Sequence, residues 1–300
     1  MAGEERTGKP SFPSQISLDS KVVLANGVEM PIFGCGLSFQ QSGLSRSQIN
    51  QATYDTVTRS LQNGIRLFDI ASHYGNEAAL GKALQSVPRS KVFITTKLWP
   101  GDYHCALTQF DNQLQTLGTD YIDLYLLHWP GAGTTRQSAA AGRRKVWKDM
   151  NSLYEQGKAR AIGVSNFLEQ HLEDILPPNP GTIPHVNQIE FNPGQHPIQL
   201  YDFCQKNNIQ VEGYCPLGKG EMLRHPGVKK IAKKYNKSPA QALLRWSLQR
   251  GVVTIPRASS ESHLLENLQI FDFELDNDDF KTMSNMHQDL RVTWNPTGVA

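Results

Sequence analysis

Cysteine is scarce in this chain, with four residues in 300, and this scarcity excludes a fold held together by disulfides. So few cysteines in so long a chain do not form a disulfide framework, and their positions show neither a CxxC motif nor the spacing of a metal site. No two histidines form an HxH pair either, so we predict no metal centre. We expect four free thiols, at Cys35, Cys105, Cys204 and Cys215.

Excess charge and long apolar runs are also absent. The 30 basic and 28 acidic residues leave a formal net charge of +2, with neither a basic stripe for nucleic acid nor a basic amphipathic segment for a membrane. No apolar run approaches the ~18 residues of a spanning helix. The first residues, MAGEERTGKPSFPSQ, are polar and unlike a signal peptide. We therefore expect a cytoplasmic protein whose partner is a small molecule.

What the chain does contain is an alternation of strand-like and helix-like segments. Residues 21–31 are typical of a hairpin about Asn26-Gly27. Apolar segments of strand length then occur eight times, at residues 32–36, 65–70, 92–96, 121–128, 160–165, 185–191, 209–215 and 252–256. Helical patterns lie between them, near residues 47–62, 76–86, 104–117, 143–156, 197–207 and 223–250.

This alternation predicts an α/β fold of the (β/α)8, or TIM barrel, type with the hairpin at its closed end. A length of 300 residues fits one such domain, which we assign to residues 20–300, with residues 1–19 as a mobile tail. A doubly wound sheet is the structural alternative. The chain lacks the early GxGxxG turn that dinucleotide binding on such a sheet requires, so we favour the barrel.

Polar residues follow three of the predicted strands. Asp69 and Tyr74 lie five residues apart where the second strand ends, Lys97 follows the third, and His128 ends the fourth. Taken singly, each residue has a simpler interpretation. Asp69 could cap the following helix and Tyr74 could lie at the surface rim. Lys97 could extend its ammonium group to solvent from the strand end, and His128 could be a hydrogen-bonded core residue. Because the carboxyl ends of barrel strands meet at one face, we expect these four side chains to converge in one pocket.

Seven motifs carry a resemblance to a known family over about residues 21–297. In order, they are FDIASHYGNE (68–77), TTKLW (95–99), LYLLHWP (124–130), GVSNF (163–167), VNQIEFNP (186–193), GYCPLGKG (213–220) and IPR with ENLQIFDFEL (255–275). The ordered set resembles the aldo-keto reductases. The resemblance implies a monomeric barrel that binds NADPH without a Rossmann domain and transfers hydride to an aldehyde or ketone. It also implies that Asp69, Tyr74, Lys97 and His128 are the catalytic tetrad.

The residue types of this tetrad suit carbonyl reduction. The reaction needs an acid for the carbonyl oxygen, and a phenol with a pKa of ~10 is a poor acid until its phenolate is stabilised. Lys97 would supply that stabilisation and lower the pKa of Tyr74, while Asp69 would keep Lys97 charged and oriented. We assign the proton to Tyr74. A neutral His128 would hydrogen-bond the carbonyl oxygen and orient it.

The resemblance also implies a cofactor site. Ser165, Asn166 and Gln188 match contacts to the nicotinamide carboxamide, and Tyr214 matches the aromatic that stacks on the ring, although capping or core packing would explain the same residues. The segment after Tyr214 resembles the one along the pyrophosphate. The complete expected cofactor set is Gly36, Leu37, Asp69, Ser165, Asn166, Gln188, Tyr214, Pro216, Leu217, Gly218, Arg257, Ser259, Ser260, His263, Glu266 and Asn267.

Two departures from the family pattern qualify this picture. Arg257-Ala258 replaces the usual Lys-Ser, and His263 replaces an Arg, which removes a permanent charge near the expected adenosine phosphate. NADPH stays the preferred cofactor, with NADH possible. Leu37-Ser38 replaces the usual Thr-Trp, so we expect a wider substrate pocket there.

The substrate side is expected to consist of Tyr74, Trp99, His128 and Trp129, below a short C-terminal tail that leaves the pocket open. This predicts a range of carbonyl substrates. Two other functions compete with this one: a nucleotide-binding regulatory or structural member of the same fold without turnover, and a metal-dependent barrel hydrolase, for which the chain offers no ligand spacing.

Overall fold

A computed structural model describes residues 12–39, 43–131, 134–178, 181–258 and 260–300. Two short antiparallel strands come first, β1 (Lys21–Val23) and β2 (Glu29–Pro31). Eight parallel strands follow: β3 (Gly34–Gly36), β4 (Leu67–Asp69), β5 (Phe93–Leu98), β6 (Ile122–Leu127), β7 (Ala159–Ser165), β8 (Val186–Glu190), β9 (Gln210–Tyr214) and β10 (Val253–Thr254). Each lies within one of the eight predicted apolar segments or extends it by one or two residues.

The eight strands form a nearly closed barrel in which each strand pairs with the next one along the chain. Closure between the first and last strands is made by backbone contacts: Thr254 N donates to Ile32 O at 2.9 Å, and Gly36 N donates to Pro256 O at 3.1 Å. A Cβ atom at Gly36 would lie 3.0 Å from Ile255 O, so the close approach at this seam favours glycine. The predicted (β/α)8 fold is confirmed.

The hairpin of β1 and β2 lies at the amino ends of the barrel strands. Its turn residue Asn26 donates from Nδ2 to Arg160 O at 2.9 Å, beside the first residue of β7. Val22 and Met30, one from each hairpin strand, are fully buried in the hydrophobic core. The hairpin therefore covers the end of the barrel opposite the strand ends that carry the polar residues.

Helices surround the barrel and connect its strands. They are α1 (Arg46–Gln62), α2 (Glu77–Leu84), α3 (Ala106–Leu117), α4 (Arg136–Glu155), α5 (Glu169–Leu172), α6 (Ile198–Lys206), α7 (Glu221–Arg224), α8 (Pro226–Lys234), α9 (Pro239–Gln249), α10 (Glu261–Leu268) and α11 (Asn277–Ser284). None of the helices in these described ranges is both long enough and apolar enough to cross a membrane.

Two of the six predicted helical segments differ from the structure, and α5, α10 and α11 lie where no helical pattern was predicted. The pattern near 223–250 is divided into α7, α8 and α9, because Pro226 and Pro239 each occupy the first helical position, where proline fits. Helix α4 begins at Arg136, seven residues before the predicted start at residue 143, because Thr135 forms a capping box with Ser138.

The N-terminal segment is described only in part, since residues 1–11 lie outside the described ranges. Within the remainder of the tail predicted at 1–19, Phe12, Ile16 and Leu18 pack against the hydrophobic core. The four cysteines are free thiols, as predicted, and Cys35 and Cys204 are buried.

Candidate active site

An ion pair between Asp69 and Lys97 lies at the carboxyl ends of β4 and β5. Lys97 Nζ donates to Asp69 Oδ1 at 2.7 Å, to Asp69 Oδ2 at 2.8 Å and to Ile70 O at 2.9 Å. Both side chains are buried. Burial is the largest single effect and lowers the pKa of Lys97, but the charge and hydrogen bond of Asp69, together with the effects of Tyr74 and Glu212, raise that pKa above its ordinary value. Lys97 is therefore a charged, fixed ammonium inside the barrel.

Tyr74 lies in a 3₁₀ turn, Ser72–Tyr74, directly after β4. The turn ends at Gly75 with a φ of 69°, a left-handed conformation that glycine adopts without strain. Lys97 Nζ lies 5.2 Å from the centre of the Tyr74 ring. Burial raises the pKa of Tyr74, and the opposing effect of Lys97 is too small to reverse this. The expectation that the pKa of Tyr74 is lowered is thus wrong in net direction, and the phenol is protonated at neutral pH.

His128 follows β6 directly and faces Tyr74, with ring centres 5.6 Å apart in an edge-on arrangement. Burial, together with the positive charge of Lys97 and a contribution of His73, holds the pKa of His128 well below 6.5. The imidazole is therefore neutral, in agreement with the sequence-based expectation. Its Nδ1 is buried and has no hydrogen-bond partner among the described residues.

Ser165, Asn166 and Tyr214 are joined by hydrogen bonds at the ends of β7 and β9. Asn166 Nδ2 donates to Ser165 Oγ and to His128 O, both at 3.0 Å, and Tyr214 Oη donates to Asn166 Oδ1 at 2.7 Å. Asn166 has a φ of 63°, a left-handed conformation that asparagine tolerates better than most residues. This backbone bend turns the Asn166 side chain back toward His128.

Gln188 connects two acidic residues across the barrel interior. Its Nε2 donates to Asp69 Oδ2 at 2.7 Å and to Glu212 Oε2 at 2.8 Å. The side chains of Gln188 and Glu212 are buried, and the two residues are register partners on β8 and β9. Gln188 is therefore in contact with Asp69 of the ion pair, and two carboxyl groups accept from the amide nitrogen that was expected to contact a cofactor.

The residues expected around the adenosine phosphate lie between β10 and α10. Arg257 is exposed, with its Nη1 donating to Ser38 O at 2.9 Å. Ser260 caps α10 by accepting from His263 N at 3.2 Å. Glu266 is partly exposed and Asn267 is buried, both on α10, whereas Ser259 lies outside the described residues.

The remaining expected cofactor residues are at the ends of β3 and β9. Leu37 is fully buried, its N–H donates to Asp69 O, and its carbonyl accepts from Asn76, so its contacts are those of a core residue. Pro216 and Leu217 follow β9 and precede a 3₁₀ turn that begins at Gly218, where φ is 56°. These three residues form a loop at the same end of the barrel as Asp69.

An aromatic cavity of about 570 Å³ adjoins the site. Trp99 and Trp129, both expected on the substrate side, line it. Trp99 is edge-on to His128, with ring centres 5.3 Å apart, and this contact links the cavity to the tetrad positions. The cavity lining includes neither Tyr74 nor His128, which were also expected on the substrate side, and it does not include Leu37 or Ser38, where we expected a wider pocket. Within the described ranges, no group of three His, Cys, Asp or Glu side chains is arranged to hold a metal.

The comparison with known protein families agrees with this geometry. The sequence profile of the Aldo/keto reductase family matches residues 33–287 of the chain, which include every strand of the barrel. The chain belongs to the aldo/keto reductase family. The resemblance inferred from the ordered motifs is confirmed.

Named relatives of this aldo/keto reductase cover nearly its whole length. It is 42% identical to a glyoxal reductase of Bacillus subtilis over 284 residues, which are 93% of this chain and 97% of the relative. It is 36% identical to a 9,11-endoperoxide prostaglandin H2 reductase of Trypanosoma cruzi, over 92% of this chain and 94% of the relative. The crystal structure of an aldo-keto reductase enzyme from a Medee basin deep-sea metagenome library matches with a TM-score of 0.83 and 37% identity, covering 93% of this chain and 99% of that one. These relatives support an oxidoreductase.

Sequence analysis missed two residues of this aldo/keto reductase site. Glu212 was overlooked although it occupies an inward position in the apolar segment IQVEGYC, where an acidic residue is unusual and marks a special environment. Trp294 lines the cavity with its ring centre 4.7 Å from that of Trp129. It lies in the short tail that was expected to leave the pocket open, and no local pattern indicated that this tail returns to the barrel mouth.

Proposed function

We propose that this protein reduces aldehydes or ketones to alcohols with NADPH, and that Tyr74 donates the proton. The observation that carries the proposal is the grouping of one phenol, one buried ammonium and one neutral imidazole. Lys97 Nζ lies 5.2 Å from the centre of the Tyr74 ring, and the ring of His128 is 5.6 Å from that of Tyr74. Such a group offers a proton donor, a cation for the resulting phenolate and a donor to the carbonyl oxygen.

Each side chain has a defined part in the proposed reaction. Tyr74 transfers its Oη proton to the carbonyl oxygen as that oxygen gains electrons. Lys97, held by Asp69 at 2.7 Å, stabilises the phenolate that remains. His128 is neutral and so donates one hydrogen bond that orients the carbonyl. The nicotinamide ring supplies the hydride when NADPH is bound.

The donor set of the chain fits a nicotinamide nucleotide. Ser165 and Asn166 supply a hydroxyl and an amide at the end of β7, which are groups of the kind that recognise a carboxamide, whereas the amide nitrogen of Gln188 is engaged by Asp69 and Glu212. Arg257 is exposed beside the start of α10, where a guanidinium fits an additional phosphate bidentately. We infer a preference for NADPH on the basis of Arg257. Because His263 replaces an arginine and removes one positive charge, we expect NADH to be a weaker substitute rather than to be rejected. We expect the protein to be a monomer and to be located in the cytoplasm.

The aromatic cavity suggests the class of substrate. Its volume of about 570 Å³ and its tryptophan walls suit a small or medium carbonyl compound with an apolar or aromatic portion. The relative in Bacillus subtilis is a glyoxal reductase. Glyoxal and an activated aromatic aldehyde are therefore the first substrates to assay.

The proposal is tested by consumption of NADPH by the wild-type protein and by Tyr74→Phe. Loss of the phenolic proton should reduce kcat by about 10²–10⁴-fold, the usual contribution of a general acid, with the Kd of NADPH unchanged. Tyr154→Phe is a matched control, since its Oη accepts from Asn26 at the opposite end of the barrel. Equal turnover of Tyr74→Phe and wild type would refute the role of Tyr74. NADPH binding with no turnover in any variant would favour the regulatory alternative.

A further inference from the structure

Glu212 is a buried acid in the barrel to which the reaction above gives no part. It lies in β9 between two apolar residues in the sequence order Val211-Glu212-Gly213 and is completely shielded from solvent. Its Oε2 accepts from Gln188 Nε2 at 2.8 Å. Its Oε1 is buried without a hydrogen-bond partner in the described part of the chain. An isolated carboxylate oxygen is costly to bury, so this environment favours the neutral acid.

The charge balance of the barrel leads to the same conclusion. The charged groups that act on Glu212 are Asp69 on β4 and Lys97 on β5, whereas its register partners on the adjoining strands, Gln188 and Val253, are uncharged. One ammonium already neutralises one carboxylate, so an ionised Glu212 would leave a net negative charge inside the barrel. Burial, and next the charge of Asp69, raise the pKa of Glu212 from 4.5 to about 8. At neutral pH the residue carries a proton.

The position of Glu212 relative to the ion pair suggests what this acid does. Gln188 Nε2 donates one hydrogen bond to Asp69 and one to Glu212, so the two acidic side chains together fix the orientation of the Gln188 amide. We propose that Glu212 is a positioning residue for carbonyl reduction, which as a neutral acid holds Gln188 against Asp69 and thereby fixes the Asp69–Lys97 pair beside Tyr74. The inference rests on the proposed function and adds a pH limit to it.

The limit follows from ionisation of Glu212. When its proton leaves to solvent, a second negative charge enters the barrel and opposes the formation of the Tyr74 phenolate, so transfer of the phenolic proton becomes harder. Tyr74, Lys97 and His128 have pKa values that are displaced away from this range. The pKa values of Tyr74 and Lys97 are both raised above their ordinary values of 10.0 and 10.5, and that of His128 lies well below 6.5. We therefore expect ionisation of Glu212, with its pKa of about 8, to limit activity in alkaline solution.

The first experiment compares the pH profiles of kcat for wild type and Glu212→Gln, from pH 6 to 9.5 with saturating NADPH and an aromatic aldehyde. Glutamine keeps an oxygen for Gln188 but cannot ionise. We expect the two proteins to agree within about twofold at pH 7, and Glu212→Gln to be about tenfold faster at pH 9, where nine-tenths or more of the wild-type acid is ionised. Glu77→Gln is the matched control: Glu77 is also buried but is bound by Thr96 and Gln113, and the alkaline loss should persist.

A second measurement does not depend on turnover. In the cofactor-free protein, infrared difference spectra should show a protonated-carboxyl C=O band that disappears with a midpoint near pH 8, present in wild type and Glu77→Gln and absent from Glu212→Gln. Glu212→Ala, which removes the acceptor of Gln188, should lower kcat at pH 7 about tenfold without changing the Kd of NADPH. An unaltered alkaline limb in Glu212→Gln, with normal turnover, would overturn this inference alone. Absence of turnover in wild type would instead overturn the proposed function, and this inference with it.

Discussion

We expect Arg257 to discriminate between NADPH and NADH. Its guanidinium is exposed, and one nitrogen donates to Ser38 O at 2.9 Å. The side chain also lies over the ring of Phe39, with 5.6 Å between the guanidinium carbon and the ring centre. These two contacts orient the guanidinium, so in the proposed cofactor site Arg257 would meet the phosphate with little loss of side-chain entropy.

We therefore expect Arg257→Ala to weaken NADPH much more than NADH. Loss of a charge-assisted pair of about 1.5–3 kcal/mol corresponds to a Kd for NADPH that is about 10–150-fold higher, with a change of less than about threefold for NADH. Titration of intrinsic protein fluorescence with each cofactor measures both constants. Arg257→Lys is the informative control, because it retains the charge and loses the fork. If both cofactors weaken equally in Arg257→Ala, the residue is structural.

For individual residues, the sequence predicted where the side chains of the site lie better than it predicted their pKa values. The convergence of Asp69, Lys97 and His128 followed from the rule that barrel strands carry functional residues at their carboxyl ends. The pKa of Tyr74 could not be deduced in the same way, because its direction depends on how burial and the charge of Lys97 balance in the folded protein. The link between Glu212 and Asp69 through Gln188 joins three strands, and no sequence spacing encodes it.

Among the elements, the C-terminal segment of residues 290–300 contributes Trp294 and Val299 to the wall of the cavity. Glu190 at the end of β8 accepts from Val292 N at 2.9 Å and from Thr293 N at 3.1 Å, which fixes the segment over the barrel mouth. Farther on, Arg143 on α4 donates to Ala300 O at 2.8 Å. Trp294 lies between these two attachments and packs against Trp129. It is 61% exposed, so it contributes little buried area to the fold.

Trp294→Ala should accordingly change substrate binding and leave stability nearly intact. We expect KM for an aromatic aldehyde to rise about 5–30-fold, which corresponds to loss of an aromatic contact of about 1–2 kcal/mol, with kcat changed little. The free energy of unfolding in urea should stay within about 0.5 kcal/mol of wild type, as for most exposed positions. A small aldehyde such as glyoxal is the internal control, since it is too small to depend on this wall. Equal effects on both substrates would show that Trp294 acts through the segment as a whole.

The elements themselves were predictable to different degrees. All eight barrel strands were identified from apolar runs, because strands buried on both faces leave a nearly continuous apolar signal. The 223–250 pattern is divided at Pro226 and Pro239, each of which is the first residue of a helix. Proline is common at this position, so each proline could have been interpreted as the start of a new helix. The return of the C-terminal segment depends on Glu190, about a hundred residues away in the chain, and no local pattern indicates it.

For the whole molecule, the buried acid predicts a dependence of stability on pH that has a definite sign. Glu212 has a folded pKa of about 8 and an ordinary value of 4.5. Between these two values the folded protein keeps a proton that the unfolded chain has lost, so folding is penalised more as pH rises. Each pH unit inside this window should lower the free energy of unfolding by at most about 1.4 kcal/mol through this group. Above pH 8 the contribution becomes constant.

Glu212→Gln should remove this part of the pH dependence. Urea unfolding of the cofactor-free protein, at several pH values from 5 to 8.5, should give a difference in free energy of unfolding between Glu212→Gln and wild type that grows in favour of the variant with rising pH and levels off near pH 8. Glu274→Gln is the control at an exposed carboxylate, whose side chain is 74% accessible, and its curve should run parallel to that of wild type. A difference that stays constant from pH 5 to 8.5 would mean that Glu212 titrates alike in the folded and unfolded chains, and the barrel would then hold it as a carboxylate. Loss of the Glu212 proton would thus limit the proposed reaction in alkaline solution, and retention of this proton by the folded chain would lower the stability of the fold as the pH rises from 4.5 to about 8.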